Sequence, residues 1–188
     1  MFMKAHALLH NHIVTAFVLF LLWGMPVAAQ TVALDDLFSR LAVADAAAAD
    51  KIEREIWIEW SKSGSPAMDL LLERGRAALA AGEPEVAIEH LTALIDHAPQ
   101  FAEGWNARAT AYFQAGELGP SVADIGHVLT LNPRHFGALA GLGMIFEALE
   151  KPQKALEVYR AALAIHPHLA DVSAAVTRLE QDVAGQDL

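Results

Sequence analysis

Six histidines stand downstream of residue 30 (His90, His97, His127, His135, His166 and His168), and they are the side chains best suited to bind a metal or move a proton. None pairs with another at i, i+4, and no HExxH occurs, so a helical zinc site has no ligand set. His166-Pro167-His168 flanks a proline and reads as loop surface. Gly137, Gly141 and Gly143 suggest a phosphate loop only superficially. The run Gly141-Leu142-Gly143-Met144-Ile145-Phe146 lacks the third glycine, and no strand precedes it. Serines are sparse and no GxSxG elbow exists. The absence of cysteine excludes thiolate nucleophiles, disulfides, thiolate metal sites and a lipid-modified N-terminal cysteine. No catalytic set can be assembled, so no enzyme, cofactor, metal or small-molecule substrate is expected. The formal charge of −10 leaves no basic footprint for a phosphate backbone, which excludes nucleic acid as a partner.

What remains is binding through shape, and the elements that would create that shape are helical. The 188 residues have room for one domain and a short appendage. Composition is 54% hydrophobic with a mean hydropathy of +0.29. An apolar leader and abundant alanine, the best helix former, account for both values. After residue 30 no apolar/polar alternation of strand period occurs, so the expected class is all-α.

Periodicity decides the arrangement of those helices. Pro99, Pro133 and Pro167 recur every 34 residues, and the same step aligns Gly75, Ala109 and Gly143. It also aligns Ala87, Ser121 and Ala155, then Leu91, Ile125 and Tyr159, then Leu94, Val128 and Ala162. Gly82 and Gly116 share a turn column that Glu150 fills in the third copy. Three units follow without insertion or deletion: 68–101, 102–135 and 136–169. In each first helix a large knob (Leu71, Trp105, Leu139) is followed one turn later by the small column at 75, 109 and 143. Small residues there let the second helix approach, and Ala87, Ser121 and Ala155 answer them from the other side. Pro84, Pro120 and Pro152 lie near the starts of the second helices, where a missing N–H costs nothing. Pro99, Pro133 and Pro167 stop those helices, because the residue before proline avoids helical geometry.

Stacked units expose apolar surface at both ends unless something covers it. Downstream, residues 170–188 supply a capping helix and tail, with Val172, Val176 and Leu179 on one side. Upstream, Leu34, Leu37, Phe38 and Leu41 form one stripe, with Asp35 and Asp36 expected in the first turn. Ile52, Ile56 and Trp60 form another, with Trp57 at its edge. Residues 30–67 therefore read as a decayed hairpin that packs on the first repeat, with its tryptophans in the core.

Residues 1–29 have the order of a secretory signal peptide: Lys4 near the start, an apolar run over 13–23, breakers Gly24 and Pro26, then Val27-Ala28-Ala29. Cleavage is expected after Ala29. The alternative is an uncleaved membrane anchor, for which the interrupted run is short of the roughly 20 residues a span requires. Export places the expected site of action in the periplasm.

The 34-residue helix-turn-helix units, with Trp105, Ala109, Tyr112, Ile125 and Pro133 in the middle copy, resemble the tetratricopeptide repeat family. Ser121 departs from the usual alanine, and Arg74 and Arg108 occupy a column often filled by leucine. Those arginines could pair with acids on adjacent helices or snorkel into solvent. The resemblance implies an α-solenoid of three hairpins and a non-catalytic scaffold that holds an extended peptide or a helix of a protein partner on the concave face of its first helices. The matching face here comprises Asp69, Leu72, Arg76 and Leu79 from the first repeat. The second repeat adds Glu103, Asn106, Thr110 and Phe113, and the third adds Gly137, Ala140, Met144 and Glu147. Asn106 offers a peptide backbone both donor and acceptor. Phe113 and Met144 offer adaptable apolar contact, and Arg76 could pair with a carboxylate. Gly137 and Gly141 are either extra helix glycines or places where a partner backbone comes close. The carboxylate clamp of chaperone-tail-binding members is not implied: its columns hold Leu72, Arg76, Ala107, Gly137 and Gly141. Two alternatives stand beside this reading, a membrane-anchored adaptor and a protein that self-associates through its repeat ends.

Overall fold

The computed structural model describes residues 26–186, among which nine α-helices and no strand occur. The leader's apolar run over 13–23 lies outside the described residues. An N-terminal pair, α1 (Pro26–Leu41) and α2 (Ala46–Trp60), precedes three hairpins. These are α3 (Pro66–Ala80) with α4 (Pro84–His97), α5 (Ala102–Gln114) with α6 (Leu118–Leu131), and α7 (Phe136–Ala148) with α8 (Pro152–Ile165). Helix α9 (Ala170–Gln186) closes the far end, burying Val172 and Leu179 against α8. The architecture is an all-α helical-repeat solenoid.

The turns inside the three hairpins share one hydrogen-bonding scheme. In each, a backbone N–H just past the first helix reaches back to a carbonyl five residues earlier: Glu83 to Ala78, Glu117 to Tyr112, and Lys151 to Phe146. This closure requires a left-handed residue, supplied by Gly82 (φ 75°) and Gly116 (φ 77°). In the third turn Glu150 takes φ 55° without being glycine, which strains the backbone by about 1–2 kcal/mol.

Packing explains the small columns. A Cβ added to Gly75 would lie 2.5 Å from Leu91 Cγ, and one on Gly143 would strike the Tyr159 ring. Ser121, the departure from alanine, buries its hydroxyl and donates to the Ala109 carbonyl at 2.7 Å, so the polar atom is matched across the same close approach. Of the two in-register arginines, Arg108 is the one that pairs. Its guanidinium grips buried Asp124 with two bonds of 2.8 and 2.9 Å and donates to Thr92 Oγ1 at 3.1 Å. The hydrogen bond to Asp124 holds the Arg108 pKa above its usual value.

The N-terminal pair departs from expectation in two ways. Helix α1 begins at Pro26, so Asp35 and Asp36 sit well inside it rather than in its first turn. They bond Arg134 and Arg40 respectively. The pair's apolar core (Leu37, Phe38, Leu41, Ile52, Ile56 and Trp60) also gathers around Phe136, with Ile165 and Leu169 beside it. Its apolar seat is thus on the third repeat, and it meets the first through the bond from Arg76 to Ser61. A 34-residue spacing carries no information about which repeat a non-repeat element packs on, and here that choice is made by Phe136, Ile165 and Leu169.

Candidate functional site

Successive residues of α2, taken backward, meet successive parts of the array taken forward. Ser61, at its C-terminal end, accepts from Arg76 Nη1 at 3.0 Å. Trp60 stacks on the His135 ring with centroids 4.1 Å apart. Trp57 lies where a Gly137 Cβ would come within 2.7 Å of its ring. Glu53 meets His166 Nε2 at 3.1 Å, and the Ala44 carbonyl accepts from His168 Nε2 at 2.9 Å. Helix α2 therefore crosses the first-helix side of the array and divides the expected binding face into covered and open parts.

The covered part holds a buried polar hub. Glu103, only 2% exposed, accepts from Arg76, from Asn106 Nδ2 and from His135 Nε2. His135 Nδ1 accepts from the Ala138 N–H at 3.0 Å, capping α7, which leaves the ring's proton on Nε2. His166 is held in the same way: its Nδ1 accepts from the His168 N–H at 3.2 Å, matching Asn132 and Arg134 one repeat earlier. His166 is fully buried, so its reading as loop surface is corrected. Phe136 stands edge-on to its ring, with centroids 5.0 Å apart.

Several residues assigned to the binding face are occupied elsewhere. Leu72, 2% exposed, belongs to the core between α3, α4 and α5. Asp69 accepts from the Ser63 N–H and hydroxyl, fastening the linker that follows α2. Glu103 serves the hub. Glu147 accepts from Tyr159 and from Arg178 on α9. Burial, together with the bond to Glu147, drives the Tyr159 pKa well above the usual tyrosine value. Arg76 stays partly exposed but already holds Glu103 and Ser61.

The open part keeps the rest together. Asn106, Thr110, Phe113, Gly141 and Met144 line one cleft of about 120 Å³ between α5 and α7, with Gly137 at its edge. Met144 is 50% exposed, unusual for a large apolar side chain. Ala140 and Met144 also border a second cleft of about 570 Å³, shared with Asp50 and Glu53 of α2 and with Leu169 and Asp171. A Cβ on Gly141 would touch only Ile125, at 3.9 Å, whereas Gly137 admits the chain's own Trp57 rather than a foreign backbone.

Residues 72–119 and 121–170 match the tetratricopeptide repeat family. A TPR repeat-containing protein of Rhizobium etli is 37% identical over 153 residues, covering 81% of this chain and 75% of that protein. Among solved structures, the first TPR of Spaghetti (RPAP3), bound to an HSP90 peptide of sequence SRMEEVD, is similar with a TM-score of 0.61. It is 24% identical over 64% of this chain and 95% of that one. A crystal structure of MamA is 19% identical, with a TM-score of 0.59 and coverage of 84% of each chain. At these identities the structural likenesses speak for the fold.

Proposed function

Because this chain belongs to the tetratricopeptide repeat family, whose members are in general protein-interaction scaffolds, we propose that it docks a segment of a partner protein on the open stretch of first helices between α5 and α7. The observation that carries this reading is the cleft itself. Exposed Met144 and half-buried Phe113 flank it, and Asn106 and Thr110 border it. The Asn106 amide nitrogen donates to Glu103 and the Thr110 hydroxyl to the Asn106 carbonyl, so their side-chain oxygens are what they offer a ligand. Apolar contact would supply affinity, and the polar groups would fix the direction of the bound backbone. A peptide like the SRMEEVD segment bound by the Spaghetti domain is not the proposed ligand. Leu72 and Ala107 are buried in the clamp columns, Arg76 is already paired, and Gly137 lies under Trp57.

The proposed place of action is the periplasm, reached through cleavage after Ala29. Support comes from the order of Lys4, the 13–23 apolar run, Gly24 and Pro26, and the small residues 27–29. N-terminal sequencing of the chain recovered from cells checks it: a start at Gln30 is expected, and an intact Met1 would mean a retained leader. For docking, a photo-crosslinking side chain at Thr110 should capture a protein in cells, and the same group on the exposed outer face at Ala123 should not. Adding Met144→Glu, at an exposed position that leaves the core intact, should reduce that capture severalfold. Equal capture from both positions would move the site off this face.

A further inference from the structure

Helix α3 leaves uncovered a column that the other two repeats bury. One step of 34 residues aligns Leu70, Gly104 and Ala138, then Arg74, Arg108 and Leu142, then Ala77, Ala111 and Ile145. In the second repeat this column faces α4: Gly104 abuts Leu94, Arg108 donates to Thr92, and Ala111 is fully buried. In the third, Ala138 and Ile145 pack in one cluster with Val128 of α6. In the first, Leu70 is 45% exposed, and Arg74 and Ala77 are exposed beside it. The helix that precedes α3 in sequence does not cover them. Ser61 and Ser63, at and beyond the end of α2, bond Arg76 and Asp69 on the other edge of α3.

A preceding repeat does not fit this face. Stacking one there would need the small side chain of Gly104 or Ala138, and Leu70 stands in that place. The far end of the array offers it no apolar surface either. Helix α9 turns Val172 and Leu179 onto α8 and leaves Ser173, Thr177 and Glu180 outside. Ala67, Leu70, Arg74, Ala77 and Ala81 instead recur at steps of three and four, the spacing by which two helices pack side by side. Glu73 borders that seam. Neither its carboxylate nor the Arg74 guanidinium has a partner among the described residues. Asp124, which holds Arg108, is replaced by His90 at the corresponding place in the first repeat.

We propose that α3 is a homodimer interface, in which two copies pack antiparallel about a two-fold axis passing between Glu73 and Arg74. That axis sets each Leu70 against Ala77 of the other copy and each Arg74 beside the other copy's Glu73, so both contacts occur twice. The occupant is a second copy because the seam is its own complement: large meets small, and each unpaired charge meets its opposite. One helix pair buries less than the ~1,200 Å² of a standard interface, so the association is reversible. This face is separate from the Phe113 cleft, and either can fail without the other.

Sedimentation equilibrium of the full chain, from dilute to concentrated samples, should show one monomer–dimer equilibrium and no larger species. Leu70→Glu should weaken dimerisation at least about tenfold by placing a carboxylate against Ala77. Arg74→Glu should do the same by opposing like charges, and adding Glu73→Arg should restore affinity to within about threefold of the unaltered chain. All of these positions are exposed, and unchanged circular dichroism checks the fold. Met144→Glu should leave dimerisation as it is. Monomer at every concentration, an open series of larger species, or a charge-swapped chain no tighter than Arg74→Glu alone would overturn the proposal. If Arg74→Glu loses the fold, Leu70→Glu decides, and undiminished dimerisation of that variant overturns it.

Discussion

Glu103 and His135 face each other at 3.0 Å, carboxylate to Nε2, and both side chains are almost wholly removed from solvent. One stands in the first turn of α5 and the other caps α7, so the contact links the start of the second hairpin to the start of the third. Glu103→Ala would leave the His135 N–H buried and unmatched and would also strip Arg76 and Asn106 of their acceptor. A loss of about 2–4 kcal/mol in denaturant unfolding is expected, with no comparable loss for the exposed control Glu73→Ala. An effect below about 0.5 kcal/mol would mean the hub contributes no cohesion.

Glycine substitution should help at one position and alanine should hurt at its equivalent. Glu150→Gly relieves the left-handed strain of the third hairpin turn and should stabilise by about 1 kcal/mol. Gly116→Ala imposes that strain on the second turn and should destabilise by a similar amount. Calorimetric midpoints moving in opposite directions would bear this out; a fall for Glu150→Gly would refute it.

Two glycines in one helix should respond oppositely to alanine. Gly143→Ala drives a methyl group into the Tyr159 ring and should cost about 1–3 kcal/mol. Gly141→Ala meets only an ordinary contact with Ile125 and should add up to about 1 kcal/mol through helix propensity. If Gly141→Ala also cuts partner capture, the glycine serves approach of a ligand as well.

Alkaline behaviour should follow Tyr159. Its folded pKa is raised by burial and by donation to Glu147, while the unfolded side chain releases its proton near pH ~10. The folded state thus holds more protons than the unfolded state above that pH, so stability is full below it and falls as pH rises toward the folded value. Urea midpoints measured from pH 8 to 11 should decline in the unaltered chain and decline less in Tyr159→Phe. Parallel slopes would assign the decline to other groups.

The repeat was legible in sequence because close helix approach demands small residues facing large ones in phase: Gly75 against Leu91, Gly143 against Tyr159. The cap at Val172 and Leu179 was legible for the same reason, as a continuation of that stripe. The face expected from the sequence stays open where nothing from outside the repeat intervenes, at Thr110, Phe113 and Met144. Leu72 and Arg76 lie one turn apart on α3, and periodicity alone could not say that the first packs inward. Asp69 and Glu103 were misplaced because their partners, Ser63 and His135, stand in a linker and an inter-repeat loop. The clue available was the Glu53, Trp57, Trp60 stripe: three large side chains on one edge of a helix imply a receiving surface.

Helix α2 bonds Arg76 near the start of the array through Ser61 and reaches His166 near its end through Glu53. Those two contacts lie eight residues apart, about 12 Å along the helix at the ordinary rise of ~1.5 Å per residue. The first repeat and the loop that ends the third are thus both tied to a rod that is not itself a repeat. Lengthening or shortening that rod by one turn would retune the curvature of the whole array without touching a single repeat residue.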